Sequence, residues 1–236
     1  MARRIFFIGF FFFTYFFFFS TSSLAASIED LELYSDKNND VLLSARLENA
    51  FTEEISQAIE SGAPVSFTFY LTVKQHRRFW SDKERISKVI KKIVKYDSFN
   101  KEYHVVEKIG ENESDFTDEK SSSFNQVVTS AVPVEENALA HNDTVMDEQQ
   151  TVVMEKSEDL EKWMSTLEKI HIGSRKDFSD NHEYYVQIKA KMKSINLPTP
   201  FNYILFFVSF WDFDTSLKSS PYFRGAPPEK IENPAS

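Results

Sequence analysis

Alternating apolar and polar residues predict that most of this chain forms β-strands. Residues 28–34 alternate in this way, and residues 41–47 repeat the alternation after a turn rich in Asp and Asn, so the two segments are expected to form a hairpin. Residues 65–80 give the longest strand candidate, because every second position from 65 to 73 is apolar. Residues 102–109 predict a further strand.

Residues 86–96 fit two kinds of element. Their apolar side chains share one face of a helix at spacings of three and four, namely Ile86, Val89, Ile90 and Ile93. All four are β-branched, however, and such residues favour a pleated strand. We therefore predict a strand, which completes a three-stranded meander over residues 65–109, and keep a helix as the alternative.

Two short helices are predicted from their end signals and periodicity. The first begins after Thr52, a residue type that caps helix N-termini, and ends at Gly62. The second is expected over residues 157–170, with Ser157 as its cap and Gly173 at its end. Its apolar side chains fall on one face, and they are Leu160, Trp163, Met164, Leu167 and Ile170.

Two more strands follow in the C-terminal part of the chain. Residues 183–195 alternate between apolar and polar side chains, and residues 203–213 form a nearly continuous apolar run, which fits a strand buried on both faces. The total is about seven strands and two helices, without β-α-β alternation. We therefore predict an α+β protein, formed mainly by an antiparallel β-sheet or sandwich on which the two helices pack.

The first 26 residues have the composition of a secretory signal peptide. Arg3 and Arg4 precede an apolar run over residues 5–19, which holds 10 of the 24 Phe residues, and small residues follow before Ala26. The run is shorter than the roughly 20 residues of a membrane span. We therefore expect an exported, periplasmic protein, and the alternative is an inner-membrane anchor formed by the uncleaved N-terminal segment.

An acidic stretch separates the two halves of the predicted domain. From Glu107 to Glu161 there are 15 acidic and 3 basic residues, with few apolar side chains between them. Such a segment cannot bury enough apolar surface to offset its ordering entropy. We interpret residues 111–156 as a disordered insertion in a single β-rich domain, whose two parts are residues 27–110 and 157–223, followed by a flexible tail over residues 224–236.

The C-terminal part of the chain resembles a known family. The sequence LPTPFNYILFFVSFWDFDT over residues 197–215 is similar to the C-terminal signature of an uncharacterised bacterial family, domain of unknown function 4390. Three further parts follow one another in an order similar to that of the family. They are a segment at residues 58–65, a strand ending in RRFW at residues 77–80 and a hairpin at residues 95–103. The resemblance implies an exported antiparallel domain and implies no activity, cofactor or catalytic residue. The acidic stretch departs from the family pattern.

Composition excludes several classes of function. The chain has no Cys, which excludes disulfides, thiolate metal sites and Cys nucleophiles, and its 5 Gly residues are too few for phosphate-binding glycine loops. The 5 His residues lack the spacing of a helical zinc site. We therefore predict neither a cofactor nor a metal. The net charge of −9 argues against a nucleic-acid partner.

A few side chains remain candidates for chemistry in a cleft. Asp212 and Asp214 are two residues apart, so they share one face of a strand, and paired carboxylates can act as acid and base when their environments differ. Together with Tyr184 and Trp80 they would define the cleft of a periplasmic ligand-binding protein or a hydrolase. A charge-paired strand end is the commoner explanation, since the sequence shows no accompanying nucleophile.

A basic stretch offers a second candidate site. Residues 74–95 hold nine Lys or Arg residues against two acidic ones, with Phe79 and Trp80 among them. This composition suits an anionic partner or the acidic stretch of the same chain, and a solvated strand face explains it equally well. The candidate partner surface consists of Lys74, Arg77, Arg78, Trp80, Lys88, Lys91, Lys92 and Lys95.

These observations favour an exported, non-catalytic interaction or adaptor module of the bacterial cell envelope. The expected partner is another envelope protein, and peripheral contact with the membrane is the alternative. The cleft residues keep open the competing hypothesis of a periplasmic ligand-binding protein or hydrolase.

Overall fold

The computed structural model describes residues 25–116, 151–194 and 213–229. Within these ranges there are two α-helices, α1 (Glu53–Glu60) and α2 (Ser157–Ser165), and short 3-10 turns at Glu113–Phe116 and Arg175–Asp177. The strands are β1 (Ser27–Ser35), β2 (Asp40–Glu48), β3 (Val65–Gln75), β4 (Lys83–Asp97), β5 (Glu102–Gly110), β6 (Thr151–Met154), β7 (Thr166–Ser174), β8 (Tyr184–Ser194) and β9 (Lys218–Ser219).

The strands form two antiparallel sheets. One sheet has three strands in the order β1-β2-β7, and the other has six strands in the order β6-β5-β4-β3-β8-β9. The predicted fold class is therefore confirmed, with nine described strands where the sequence indicated about seven. The predicted β1–β2 hairpin and the β3–β4–β5 meander are both present.

A single hydrophobic core joins the two sheets. It takes Leu43 from β2, Phe67 and Phe69 from β3 and Ile188 from β8, each at most 1% exposed. Full burial of an apolar side chain of this size stabilises the folded state by about 1.5–3 kcal/mol. The face of the six-stranded sheet that carries Phe67, Phe69 and Ile188 is called the core face below, and the other is called the outer face.

The first helix forms as predicted. The Thr52 side chain accepts a hydrogen bond from the Ile55 backbone N–H, and it thereby satisfies one of the open donors of the first turn. Gly62 follows the helix with a φ of +84°, a backbone conformation that glycine adopts without strain. Ile55 and Ile59 fill the core, so the helix covers one part of the sheet surface.

The second helix is shorter than predicted. It ends at Ser165, and the chain continues as β7, which pairs with β2 through Leu43↔Ile170 and Ala45↔Leu167. The helical spacing over residues 157–170 was misleading because the open edge of β2 supplies hydrogen-bond partners that a longer helix would leave unused. Ser157 was also wrongly predicted as the cap, since the N-cap is Lys156 and makes no side-chain capping bond.

The ambiguous segment over residues 86–96 is a strand. It belongs to β4, which pairs with β3 on one side and β5 on the other. β3 ends at Gln75, before residue 80 where the sequence placed its end. Hydrogen bonds on both sides explain why the β-branched residues of β4 adopt the extended backbone.

Several predictions lie outside the described residues. These are the signal segment before residue 25, the central part of the acidic stretch at residues 117–150, and the predicted strand at residues 203–213 except Phe213. The acidic stretch has a 3-10 turn at its start and β6 at its end. Residues 224–229, expected to begin a flexible tail, are joined to β1 by hydrogen bonds from Ser35 to the Pro227 and Pro228 carbonyls.

Candidate functional site

The structure divides the predicted basic surface into three groups. Arg77, Arg78 and Trp80 lie in the loop between β3 and β4, and Lys74 precedes this loop at the end of β3. A second group, Lys91 and Lys95, lies half-buried on the outer face, where both side chains have interaction partners. The third group is Lys88 and Lys92, which lie on the core face. The eight residues therefore do not form one continuous surface.

Lys92 is a structural residue. Its side chain is 4% exposed, and its Nζ donates hydrogen bonds of 2.6 Å to the carbonyl oxygens of both Trp163 and Thr166. The Nζ also lies 3.4 Å from Oε2 of Glu107 and 4.7 Å from the centroid of the Trp163 ring. Burial lowers the pKa of Lys92, and the neighbouring Glu107 opposes this shift. The ammonium group thus binds the carbonyls where α2 changes into β7.

Lys88 is only partly accessible to a partner. Burial is also the main reason that the pKa of Lys88 is lowered, with Glu111 acting in the opposite direction. The side chain belongs to the same face of β4 as the buried Ile90 and Lys92. Lys88 therefore lies apart from the exposed arginines of the β3–β4 loop.

The described cleft candidates do not come together. Tyr184 is 1% exposed and packs at 5.3 Å against the ring of Phe178 on the core face. Asp214 lies on the outer face, where its carboxylate is 3.4 Å from Lys189 Nζ and 3.0 Å from Lys191 Nζ. The hydrogen bond from Lys191 is the main reason that the pKa of Asp214 is lowered. Asp212 lies outside the described residues.

Asp214 therefore matches the simpler of the two explanations given by the sequence. Its two lysine partners keep it ionised and hold the segment after residue 213 against β8. These ion pairs join partly exposed side chains, and ion pairs of this kind typically contribute little to stability. Its described ion-pair partners are two lysine ammonium groups, which favour the charged form of the carboxylate and are unlike the apolar surroundings that adapt a carboxyl group to act as an acid.

The hairpin tip, defined as residues 76–82 between β3 and β4, is the most distinctive surface of the described chain. Phe79 is 85% exposed and Trp80 is 78% exposed, although both side chains are large and apolar. The guanidinium carbon of Arg78 lies 5.7 Å from the centroid of the Phe79 ring. The tip thus presents two consecutive exposed aromatic residues and two exposed arginines at the end of two long paired strands.

Asp82 holds the tip in this shape. Its Oδ1 accepts a hydrogen bond of 3.0 Å from the Arg77 backbone N–H and lies 3.2 Å from Nδ1 of His76. Its Oδ2 accepts a hydrogen bond of 2.7 Å from the hydroxyl of Tyr185 on β8. The hydrogen bond from Tyr185, followed by that from Arg77, lowers the pKa of Asp82. The carboxylate therefore stays ionised and ties both ends of the tip to the sheet.

Two tyrosines support the base of the tip. Tyr222, from the C-terminal segment, lies 5.2 Å from the ring of Tyr185 and 5.4 Å from the ring of His76. Burial, with the hydrogen bond to Asp82, raises the pKa of Tyr185 to about 12. The phenol therefore stays protonated, and remains a hydrogen-bond donor, into the alkaline pH range.

Sequence reasoning found the tip but missed its support. Arg77, Arg78 and Trp80 were singled out by composition, whereas Asp82, Tyr185 and Tyr222 come from three separate parts of the chain. A single Asp in a turn is common, so its role was not visible. The contact between Tyr185 and Asp82 arises because β8 pairs with β3, with Tyr184 opposite Gln75 and Tyr185 opposite Lys74.

Charges at the tip are arranged with the anion inward and the cations outward. Asp82 is occupied by His76, Arg77 and Tyr185. Across the described ranges, no carboxylate forms an ion pair with the guanidinium of Arg77 or Arg78. Within those ranges the two guanidinium groups have no carboxylate partner, and their chemistry suits a partner's carboxylate or phosphate groups.

The rest of the described surface offers less defined chemistry. An open groove of about 500 Å3 lies between the end of β2 and α2, and charged side chains of both signs line it, including Arg46, Glu48, Glu161 and Lys162. No group of three or more potential metal ligands occurs among the residues that the structure describes. None of the helices described is both long and apolar enough to cross a membrane.

Comparison with known proteins identifies one family. The family model described as "Domain of unknown function (DUF4390)" matches residues 24–220. This range includes the hairpin tip, Asp82 and Tyr185, and it ends two residues before Tyr222. No curated protein and no solved structure matches the chain.

Proposed function

We propose that this chain, which belongs to the domain of unknown function 4390 family, is an exported, non-catalytic interaction module of the bacterial cell envelope. The hairpin tip is its docking surface, and its partner is another envelope protein. The observation that carries this proposal is that Phe79 and Trp80 are 85% and 78% exposed on a tip whose conformation is held by the hydrogen bonds of Asp82.

The composition of the tip fits a binding surface. Trp, Tyr and Arg are the residues most enriched where alanine substitution weakens protein–protein complexes. Two consecutive exposed aromatic side chains leave apolar surface in water, and a partner that covers them recovers favourable burial. Isolated exposed apolar residues are ordinary, so the adjacency of Phe79 and Trp80, together with Arg77 and Arg78, is the informative feature.

The support of the tip favours binding as well. A loop that is already ordered loses less conformational entropy when it binds. Asp82 fixes the tip through His76, Arg77 and Tyr185, and Tyr222 packs against the base. A loop held by three contacts to one carboxylate therefore presents its aromatic and cationic groups in a defined arrangement.

Export and a periplasmic location are parts of the proposal that rest on the N-terminal sequence. The two arginines, the apolar run and the small residues of segment 1–26 support a secretory signal. An inner-membrane anchor remains the alternative if the segment is not cleaved. The competing hypothesis of a ligand-binding protein or hydrolase gains no support, because Tyr184 and Asp214 lie on opposite faces of the sheet.

Cross-linking in living cells tests this function. The tagged full-length protein is treated with formaldehyde in the bacterium that produces it, as the wild type and as the Phe79→Ser/Trp80→Ser variant. The control is Phe99→Ser, because Phe99 is 92% exposed in the turn at the other end of β4. The proposal predicts a discrete protein adduct in the wild type and the control that is lost in the tip variant. An adduct that persists in the tip variant would overturn the proposal.

A further inference from the structure

We propose that the tip recognises an acidic segment of its partner, whose carboxylates pair with Arg77 and Arg78 while an apolar side chain packs against Phe79 and Trp80. This inference rests on the proposed function, because it names the chemistry of the partner for the same surface. Its first basis is charge: residues 74–85 contain five Lys or Arg residues and two acidic residues, although the whole chain carries a net charge of −9.

The position of the acidic residues strengthens this charge asymmetry. Of the two, Asp82 faces inward and is held by His76 and Tyr185, so it does not occupy the arginines. The other, Glu84, is on β4 beyond the tip. A local excess of positive charge on an acidic protein attracts acidic partners and raises the rate at which they associate.

The chemistry of Arg78 suits a carboxylate on the partner. Its guanidinium lies over the face of the Phe79 ring, at 5.7 Å. The Arg78 side chain is also exposed, and its planar guanidinium fork matches the two oxygens of a carboxylate. The aromatic ring and the arginine therefore form a combined surface for an acidic residue and an apolar neighbour.

A protein segment fits this surface better than a membrane does. Insertion of Phe79 into the acyl layer would bring the neighbouring Arg78 guanidinium toward that layer, and a charged group at that depth is costly. The apolar part of the tip is limited to Phe79 and Trp80, whereas stable interfacial binding needs a larger apolar face or a second anchor.

Direct binding to a chosen probe tests the inference. The probe is a short labelled peptide in which glutamates flank two leucines, and its binding to the purified full-length protein is followed by fluorescence anisotropy. We expect the Arg77→Glu/Arg78→Glu variant to bind at least about tenfold more weakly, because each lost charge pair is replaced by repulsion. The matched control is Lys37→Glu/Lys176→Glu, which makes the same charge change at two exposed sites away from the tip.

Four comparisons test the specificity of this binding, and they vary the peptide charge, the salt concentration, the site of substitution and the type of partner. The acidic peptide must bind better than the same peptide with lysines in place of glutamates, and binding must weaken as salt is raised. Binding of both peptides with equal affinity, or equal loss in the control variant, would overturn the inference. Binding to phosphatidylglycerol vesicles in place of the acidic peptide would overturn it as well and would indicate a membrane partner.

Failure of this inference can be distinguished from failure of the proposed function. If the cellular cross-link depends on Phe79 and Trp80 but the acidic peptide does not bind, the docking function stands and the partner has different chemistry. If the cross-link does not depend on the tip, the docking function itself is wrong, whatever the peptide does.

Discussion

The hydroxyl of Tyr185 donates a hydrogen bond of 2.7 Å to Oδ2 of Asp82, and this bond joins β8 to the loop between β3 and β4. The two residues are 103 positions apart in the chain. Oδ1 of the same carboxylate accepts from the Arg77 backbone, so a single side chain links the exposed tip to the sheet. The two hydrogen bonds of the Asp82 carboxylate therefore help to fix the shape of the proposed docking surface.

Removal of the Tyr185 hydroxyl should loosen the tip without unfolding the protein. In Tyr185→Phe the ring still packs against Tyr222, but Oδ2 of Asp82 loses its donor. We expect the Arg77 amide to exchange its hydrogen several-fold faster, because its hydrogen-bond acceptor becomes less constrained. Amide hydrogen exchange followed by NMR measures this rate. Tyr222→Phe is the control, and an equal effect in both variants would argue against the role of the Tyr185 hydroxyl.

Tyr185 should be a late-titrating tyrosine. Its folded pKa of about 12 is above the roughly 10 of an unfolded tyrosine. Its neutral form is therefore favoured by folding, and its contribution to stability is fully present below about pH 10 and lost as the pH rises through about 12. Absorbance of tyrosinate at alkaline pH should show a late component that is absent in Tyr185→Phe. A titration curve that is unchanged in this variant would contradict the assignment.

The contribution of Asp82 to stability should depend on pH at the acidic end of the range. Because its pKa is lowered in the fold, its stabilising contribution is present above the unfolded value of about 3.9 and is lost as the pH falls through the folded value. We expect Asp82→Asn to be less stable than the wild type at neutral pH, with a difference that shrinks at low pH. Urea unfolding at several pH values measures the difference. A difference that is independent of pH would show that ionisation of Asp82 is unimportant.

Lys92 should be required for stability and not for binding. Lys92→Met leaves two carbonyls and Glu107 without the buried ammonium group, which should lower the free energy of unfolding by about 1–3 kcal/mol. Lys83→Met, at an exposed position of the same strand, should change the free energy of unfolding by less than about 0.5 kcal/mol. Urea unfolding compares the two variants. Equal effects of the two substitutions would contradict the structural role of Lys92.

Gly225 should be intolerant of a side chain. Its φ is +64°, and a Cβ at this position would meet the carboxylate of Asp180 and the guanidinium of Arg175, which form an ion pair of 2.6 Å. Gly225→Ala should therefore lower the free energy of unfolding by about 1–2 kcal/mol through backbone strain and displacement of this pair. Thermal unfolding monitored by circular dichroism measures the loss. An unchanged midpoint would mean that the C-terminal segment contributes little to the fold.

Local pattern predicted most of the strands and the first helix. The alternation over residues 65–73, the turn between β1 and β2 and the cap at Thr52 all depend on neighbours in the chain, so the sequence shows them directly. The fold class follows from the same signals. β4 was predicted correctly because the preference of β-branched residues for strands agrees with its pairing on both sides.

Interactions between distant segments account for what the sequence did not show. Leu167 and Ile170 fit a helical stripe, but pairing with β2 makes them part of a strand. Lys92 was assigned to a surface because Lys is usually exposed, whereas the carbonyls of Trp163 and Thr166 give it a buried site. The contact between Asp82 and Tyr185 likewise depends on which strands are neighbours.

Site-specific photo-cross-linking shows whether the hairpin tip contacts a partner in the cell. A photoreactive residue replaces Phe79 in one form of the full-length protein and Phe99 in another, since both positions are largely exposed and lie at opposite ends of β4. After illumination of living cells, we predict a discrete protein adduct from position 79 and none from position 99. No protein adduct from position 79, or adducts of equal yield from both positions, would contradict the account.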